Sequence, residues 1–110
     1  MNVFDLKTST AYPLGEREKN VLYRGKGFKV RIVELLPEGE IPPCDMAQHV
    51  VFTVVSGTVD ISVNDEIVHA QPSHCVVIHP ATVAMKSASG ARVMAVQIDD
   101  VAHSDAKGGK

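Results

Sequence analysis

The feature that most constrains the fold of this chain is the alternation of apolar and polar residues with a period of two. In FKVRIVELL, Phe28, Val30 and Ile32 fall on one face and Lys29 and Arg31 on the other. Side chains alternate between the two faces of a strand, so this pattern predicts a half-buried strand. We find no convincing stretch with the spacing of an amphipathic helix. An all-β fold is therefore predicted.

Seven stretches are predicted to be strands because they are rich in β-branched residues and bounded by turn-forming residues. They are residues 21–24, FKVRIVELL, HVVFTVVSG, TVDISV, EIVHA, CVVIH and ARVMAVQI. Asn64 and Asp65 are predicted to form a hairpin turn. PEGEIPP is predicted to break regular structure, since each proline restricts the residue before it. Seven or eight short strands at this spacing predict a sandwich or small barrel.

The stretch HVVFTVVSG is apolar on both faces, which indicates a central strand or a strand covered by a partner. One face carries Val50, Phe52 and Val54, and the other carries Val51, Thr53 and Val55. An apolar patch on a solvent face favours association, and a two-fold dimer that pairs two such sheets would bury it. The sequence therefore predicts a homodimer.

Length and composition predict one soluble domain over residues 1–110, with a barrel at about 21–98 and a flexible tail at 99–110. The net charge of −2 and the aromatic content of 5% do not favour a nucleic-acid partner. No stretch resembles a signal peptide or a membrane span, so no membrane partner is predicted. With only two cysteines, a cytoplasmic protein with reduced thiols is expected.

Four stretches together resemble the small single-domain members of the cupin superfamily, which are RmlC-like proteins. They are PEGEIPP, VVFTVVSGTVDISVNDE, AQPSHCVVIHPAT and ARVMAVQI. The resemblance implies a double-stranded β-helix, or jelly-roll, barrel. It also implies what many such proteins have: a dimeric state and one divalent metal, bound by three histidines and a glutamate, that supports dioxygenase, isomerase or decarboxylase chemistry.

The motif positions that hold these metal ligands are occupied by other residues in this chain. The first two histidine positions are Cys44 and Met46, and the glutamate position is Val50. The third histidine position falls on Val83 or Ala84, depending on the alignment. Valine and alanine have no donor atom for a metal. Sulfur binds soft ions better than it binds the ions that prefer imidazole and carboxylate ligands. The resemblance thus implies a cupin barrel with a degenerate metal site.

The leading hypothesis is therefore a binding protein that holds a small organic ligand in an apolar pocket without the usual metal. The predicted pocket residues are Cys44, Met46, Val50, Phe52 and His79. No cofactor is predicted. His79 shares a strand face with Cys75 and Val77. It enters the pocket only if that face is the interior of the barrel. Otherwise it caps the rim of the barrel.

Two other hypotheses remain open at this stage. One is a metal-dependent enzyme with a transition metal held by Cys44, His49 and His79, which requires His49 to face inward although strict alternation places it opposite Val50. The other is a non-catalytic module that only dimerises. Lys86 is expected to point outward; if it pointed inward, it could bind an acidic ligand.

Overall fold

The computed structural model describes residues 1–99 of the chain, so the predicted tail at 99–110 lies outside it except for Asp99. A 3₁₀ helix at Leu14–Asn20 precedes nine strands. The strands are β1 (Val21–Gly25), β2 (Phe28–Leu35), β3 (Gly39–Met46), β4 (His49–Gly57), β5 (Val59–Val63), β6 (Glu66–Ala70), β7 (Cys75–Ile78), β8 (Ala81–Ser87) and β9 (Ala91–Ile98). Within residues 1–99, no helix has both the length and the hydropathy to cross a membrane.

Two antiparallel sheets form the body of the molecule, which confirms the predicted all-β class. The five-stranded sheet has the order β1-β2-β9-β4-β7, and the four-stranded sheet has the order β3-β8-β5-β6. The predicted hairpin turn at Asn64 and Asp65 joins β5 to β6, where Val63 pairs with Glu66. Asn64 has a φ of +54°, which an asparagine tolerates better than most residues.

All seven predicted strands are present, but the sequence did not predict β3 or β8. The prediction that PEGEIPP breaks regular structure was wrong, because most of it lies in β3. β3 is an edge strand, and its two prolines lie where the pairing with β8 shifts register between Ile41 and Cys44. Edge positions and bulges tolerate proline because no ladder hydrogen bond is needed there. The chain also contains a 3₁₀ helix, which was not predicted.

The core lies between the two sheets and is built from alternate residues of the central strands. The predicted faces of β4 are confirmed, since Val50, Phe52 and Val54 are buried and the alternate residues are not. From the facing sheet, Val59 and Ile61 of β5 are fully buried. These aliphatic side chains pack as one cluster.

The faces of β2 differ from the expected arrangement. Arg31 pairs with Ala95 and Lys29 pairs with Gln97, both of which are buried on the inner face of β9. Residues directly opposite each other in an antiparallel pair share a face, so the two basic residues face the inner side. The predicted strand is present, but its inner face carries Lys29 and Arg31, and the apolar residues Phe28, Val30 and Ile32 lie on the outer face.

The residues before β1 cover part of the outer face of the five-stranded sheet. The Arg92 Nη1 donates to the carbonyl oxygens of Leu6 at 3.1 Å and Ser9 at 2.5 Å. The side-chain amide of Asn20 bonds both backbone groups of Tyr12, accepting from the N–H at 2.7 Å and donating to the carbonyl at 2.9 Å. Ile32, on the same outer face, is also buried.

We predict that Gly57→Ala lowers the free energy of unfolding by about 2–4 kcal/mol. Gly57 ends β4 with a φ of +73°, and a Cβ there would lie 2.1 Å from the carbonyl oxygen of Gly90. Gly15→Ala is the matched control, because a Cβ at Gly15 meets no atom within 4 Å. Chemical denaturation of both variants tests this, and equal effects would contradict it.

Candidate ligand-binding site at one end of the barrel

One end of the barrel, which we call the Met46 end, is formed by the end of β3, the start of β4, the end of β9 and the start of β2. β3 finishes there at Met46, and β4 begins three residues later. The side-chain amide of Gln48 donates to the Asp99 carboxylate at 2.9 Å, and His49 pairs with Ile98. The end of β3, the start of β4 and the end of β9 therefore lie side by side.

The residues that the sequence motif assigns to the metal-ligand positions lie on the inner faces of both sheets. Cys44 lies directly opposite Val83 in the β3–β8 ladder, so the two side chains share a face. Val83 and Val50 are buried in the core cluster, and Met46 packs against it. Of the two residues considered for the third histidine position, Val83 is the one that faces the core. Ala84 lies on the opposite face of β8.

The structure does not place all five predicted pocket residues on one surface. Val50 and Phe52 are buried in the core at 0% and 3% exposure, while Cys44 is exposed at the edge of the barrel. His79 follows β7 on the same face as Val77, which is 66% exposed. That face is the outer one, so His79 lies away from the other four residues.

His49 and His79 meet on the outer face of the five-stranded sheet. Their Nδ1 atoms are 3.1 Å apart, and the rings are perpendicular with centroids 5.2 Å apart. His49 faces away from Val50, as strict alternation predicts. Among residues 1–99, no group of three or more His, Cys, Asp or Glu side chains is placed to hold a metal ion. Cys44 therefore does not join the two histidines in such a group.

The inner side of the Met46 end carries polar residues that the sequence reasoning missed. Gln97 is only 7% exposed and pairs with Val50 on β4 and with Lys29 on β2. The Arg31 side chain is 13% exposed and projects from the same inner face. It lies two residues after Lys29 on β2. The Oε1 of Gln97 and the Nε of Arg31 are both buried and have no hydrogen-bond partner within residues 1–99.

A signal for these residues is present in the sequence. In ARVMAVQI, Gln97 falls on the same alternate positions as Val93 and Ala95, which makes it a polar residue on an otherwise apolar face. Buried polar side chains normally have partners, and one without a partner in a folded chain points to a ligand or a water molecule. The inward direction of Lys29 and Arg31 could not be inferred, because alternation defines two faces without saying which is inner.

A single carboxylate lies among the basic residues of this end. Glu18, from the 3₁₀ helix, accepts from the Arg31 Nη2 at 2.9 Å and lies 3.6 Å from the Arg24 Nη2. The hydrogen bond and the positive charge of Arg31 lower the pKa of Glu18, and the nearby charges of Lys29 and Arg24 act in the same direction. Three cations thus surround one carboxylate at the Met46 end.

The outer face of the four-stranded sheet has a different character. Lys86 is exposed there, which confirms the predicted outward orientation. It pairs with Glu40 on β3 and with Asp60 on β5, and His69 of β6 hydrogen-bonds to Asp60. A row of charged and polar side chains therefore crosses all four strands, as expected for a solvent-facing sheet surface.

Comparisons with known proteins identify the fold. No family model matches the sequence, and no curated protein matches it. Among solved structures, TT1209 from Thermus thermophilus is 19% identical, with a TM-score of 0.75 over 90% of this chain and 98% of that chain. An RmlC-like cupin from Desulfovibrio desulfuricans is 11% identical, with a TM-score of 0.74 over 89% and 96%. An uncharacterized protein with a double-stranded β-helix domain from Klebsiella pneumoniae is 16% identical, with a TM-score of 0.74 over 89% and 90%.

These likenesses show that the chain has the cupin fold, a double-stranded β-helix of two antiparallel sheets. The fold implied by the sequence motifs is confirmed.

We predict that Gln97→Met leaves the free energy of unfolding unchanged or raises it by about 1 kcal/mol, because replacing an unpaired buried amide by an apolar group of similar shape removes a desolvation cost. Asn20→Leu is the control, since Asn20 is equally buried but fully bonded to Tyr12. It should lose about 1–3 kcal/mol. Urea denaturation measures both. A loss of about 2 kcal/mol or more for Gln97→Met would show that the amide is structurally paired.

Proposed function

We propose that this protein binds a small organic molecule at the Met46 end of the barrel and does so without a metal ion. The observation that carries the proposal is the pair of buried, unpartnered polar atoms there, the Oε1 of Gln97 and the Nε of Arg31. An unpaired buried polar atom costs about 1–3 kcal/mol. A ligand that pairs with both atoms would recover this free energy.

The types of residue on the inner faces of this end are those that small-molecule sites use. Such sites are mostly apolar and carry a few placed polar groups that orient the ligand. Here Cys44, Met46 and Val83 provide apolar and sulfur-containing surface on the four-stranded sheet, and Arg31 and Gln97 provide the polar groups on the other sheet. The exposure of Cys44 gives solvent access to this end.

The small organic ligand expected from the sequence is still proposed, but the residues proposed to contact it differ from those predicted. Cys44 and Met46 remain as candidate ligand contacts, with Val50 as buried support behind them. Phe52 belongs to the core, and His79 is not proposed as a contact because it lies on the outer face. A cytoplasmic location stays a prediction. Cys44 and Cys75 form no disulfide.

We predict that chelator-treated protein binds the same members of an organic fragment library as untreated protein, because no step of recognition uses a metal. Ligand-observed NMR measures binding, and mass spectrometry of the purified protein measures its metal content. Near one equivalent of a transition metal per chain, with binding lost after chelation, would contradict the proposal and favour the metal-dependent alternative.

Alkylation of the Cys44 thiol tests the position of the site in the same assay. In a Cys75→Ser background, an N-ethylmaleimide group on Cys44 should abolish fragment binding, because it fills the accessible side of the Met46 end. The matched control is alkylation of Cys75 in a Cys44→Ser background, since Cys75 is also exposed but lies on the outer face of β7. Unchanged binding after Cys44 alkylation would place the site elsewhere.

A second candidate function, homodimerisation, is favoured by the outer face of the five-stranded sheet. One row of side chains crosses all five strands of that sheet and contains no charge. The row consists of Tyr23, Val30, Val96, Val51 and Val77.

A second copy of the chain is the occupant that fits this row best. An uncharged face offers no complementarity to a charged partner, and a two-fold axis would pair it with the same apolar row of a second copy. The exposed aromatic and aliphatic residues Phe28 and Ile98 continue it on the neighbouring row.

We predict that the protein sediments as a dimer at micromolar concentration and that Val77→Glu shifts it to a monomer, because a carboxylate would be buried unpaired in the interface. Ile67→Glu is the control, since Ile67 is similarly exposed, at 61%, on the charged face of the other sheet. Analytical ultracentrifugation measures both. A wild-type protein that stays monomeric throughout the concentration range would contradict the dimer.

A further inference from the structure

We propose that the ligand of the Met46 end is a small organic anion that also carries a hydroxyl or amine group, and that Glu18 occupies the position of its acidic group in the ligand-free chain. This inference rests on the proposed function and adds the chemical class of the ligand. It is carried by the basic residues of the site, by the incomplete pairing of Arg31 and by the unpartnered Gln97.

The charge balance at this site favours an anion. Three cations, Arg24, Lys29 and Arg31, act on the one carboxylate of Glu18. Two other carboxylates at the same end are engaged elsewhere: Asp45 accepts from the Thr82 hydroxyl, and Asp99 accepts from Gln48. A second carboxylate or a phosphate would therefore meet excess positive charge.

The pairing of Arg31 is half complete. Its Nη2 donates to Glu18, but its Nε, on the same edge of the guanidinium, donates to no atom within residues 1–99. A carboxylate or phosphate that lies along this edge accepts from Nε and Nη2 together, which is the strongest arrangement for arginine. The Glu18 carboxylate instead divides its two oxygens between Arg31 and Arg24.

Gln97 defines the second group of the ligand. Its Oε1 is an acceptor, so it pairs with an O–H or N–H and not with an anionic oxygen. Gln97 projects from the same face of the sheet as Arg31. It lies on the neighbouring strand β9, two residues after Ala95, which is directly opposite Arg31. Such diagonal neighbours lie about 7–8 Å apart, so one small molecule can reach both.

Glu18 can be displaced without unfolding the barrel. Its side chain is 67% exposed, and it projects from a 3₁₀ helix of seven residues. Helices of this kind have poorer hydrogen-bond geometry than α-helices, and exposed ion pairs contribute little to stability. An incoming anion therefore competes with one weakly held carboxylate.

Isothermal titration calorimetry with four probes tests the inference: L-malate, succinate, inorganic phosphate and erythritol. L-malate has both acidic groups and a hydroxyl, succinate lacks the hydroxyl, phosphate is a compact anion, and erythritol is uncharged. We expect L-malate to bind more tightly than succinate and phosphate, and erythritol not to bind at up to about 10 mM.

Three variants test the roles of the residues. Arg31→Gln should weaken L-malate binding by at least about tenfold, as expected for the loss of a charge-assisted pair. Glu18→Gln should tighten it about two- to fivefold, because the competing carboxylate is removed. Lys86→Gln on the other sheet should change nothing. If Arg31→Gln fails to fold, the Glu18→Gln result decides.

The possible outcomes separate this inference from the proposed function. If uncharged fragments bind at the Met46 end but none of the anions does, the anion is excluded and the proposed function stands. If neither the uncharged fragments nor the anions bind, the proposed function and this inference are both wrong. Anion binding that is equal in wild type, Arg31→Gln and Glu18→Gln would be nonspecific attraction to the surface, and it would overturn the inference.

Discussion

The close packing of aliphatic side chains between the two sheets is the constraint on which the rest of the structure depends. Val50 and Val54 of β4, Ile61 of β5 and Val93 of β9 are at most 1% exposed. Each such side chain contributes about 1.5–3 kcal/mol when it is removed from water. This core stabilises the barrel through apolar packing, and Val50 lies at its centre with no exposed surface.

The core ends at the Met46 end, and the site begins there. Along one row of the inner face, Ile78 and Val50 are followed by Gln97 and then by Lys29. The change from aliphatic to polar side chains occurs between adjacent strands of a rigid sheet, so the polar groups are held in place by the core. Buried polar atoms without partners reduce stability, and chains retain such costs mainly at functional sites.

The sequence was sufficient for the fold class, because several strands alternate clearly, and the inner face of β4 followed from the motif position of Val50. It was insufficient for β3, where prolines are tolerated only because the strand lies at a sheet edge. For β2 it identified two faces but could not say which is inner, because each face carries buried or half-buried residues. For His79, parity gave the face it shares with Val77, but only the structure showed that this face is the outer one. Such assignments depend on tertiary contacts that no local pattern contains.

The position of the bound ligand tests the account most directly. Backbone amide chemical shifts would be measured by NMR while the tightest-binding small molecule is titrated into metal-free protein. We expect the largest chemical-shift changes at Lys29, Arg31 and Gln97, and no change at Lys86 or Val77. Changes that cluster on either outer face, or that require an added metal ion, would contradict it.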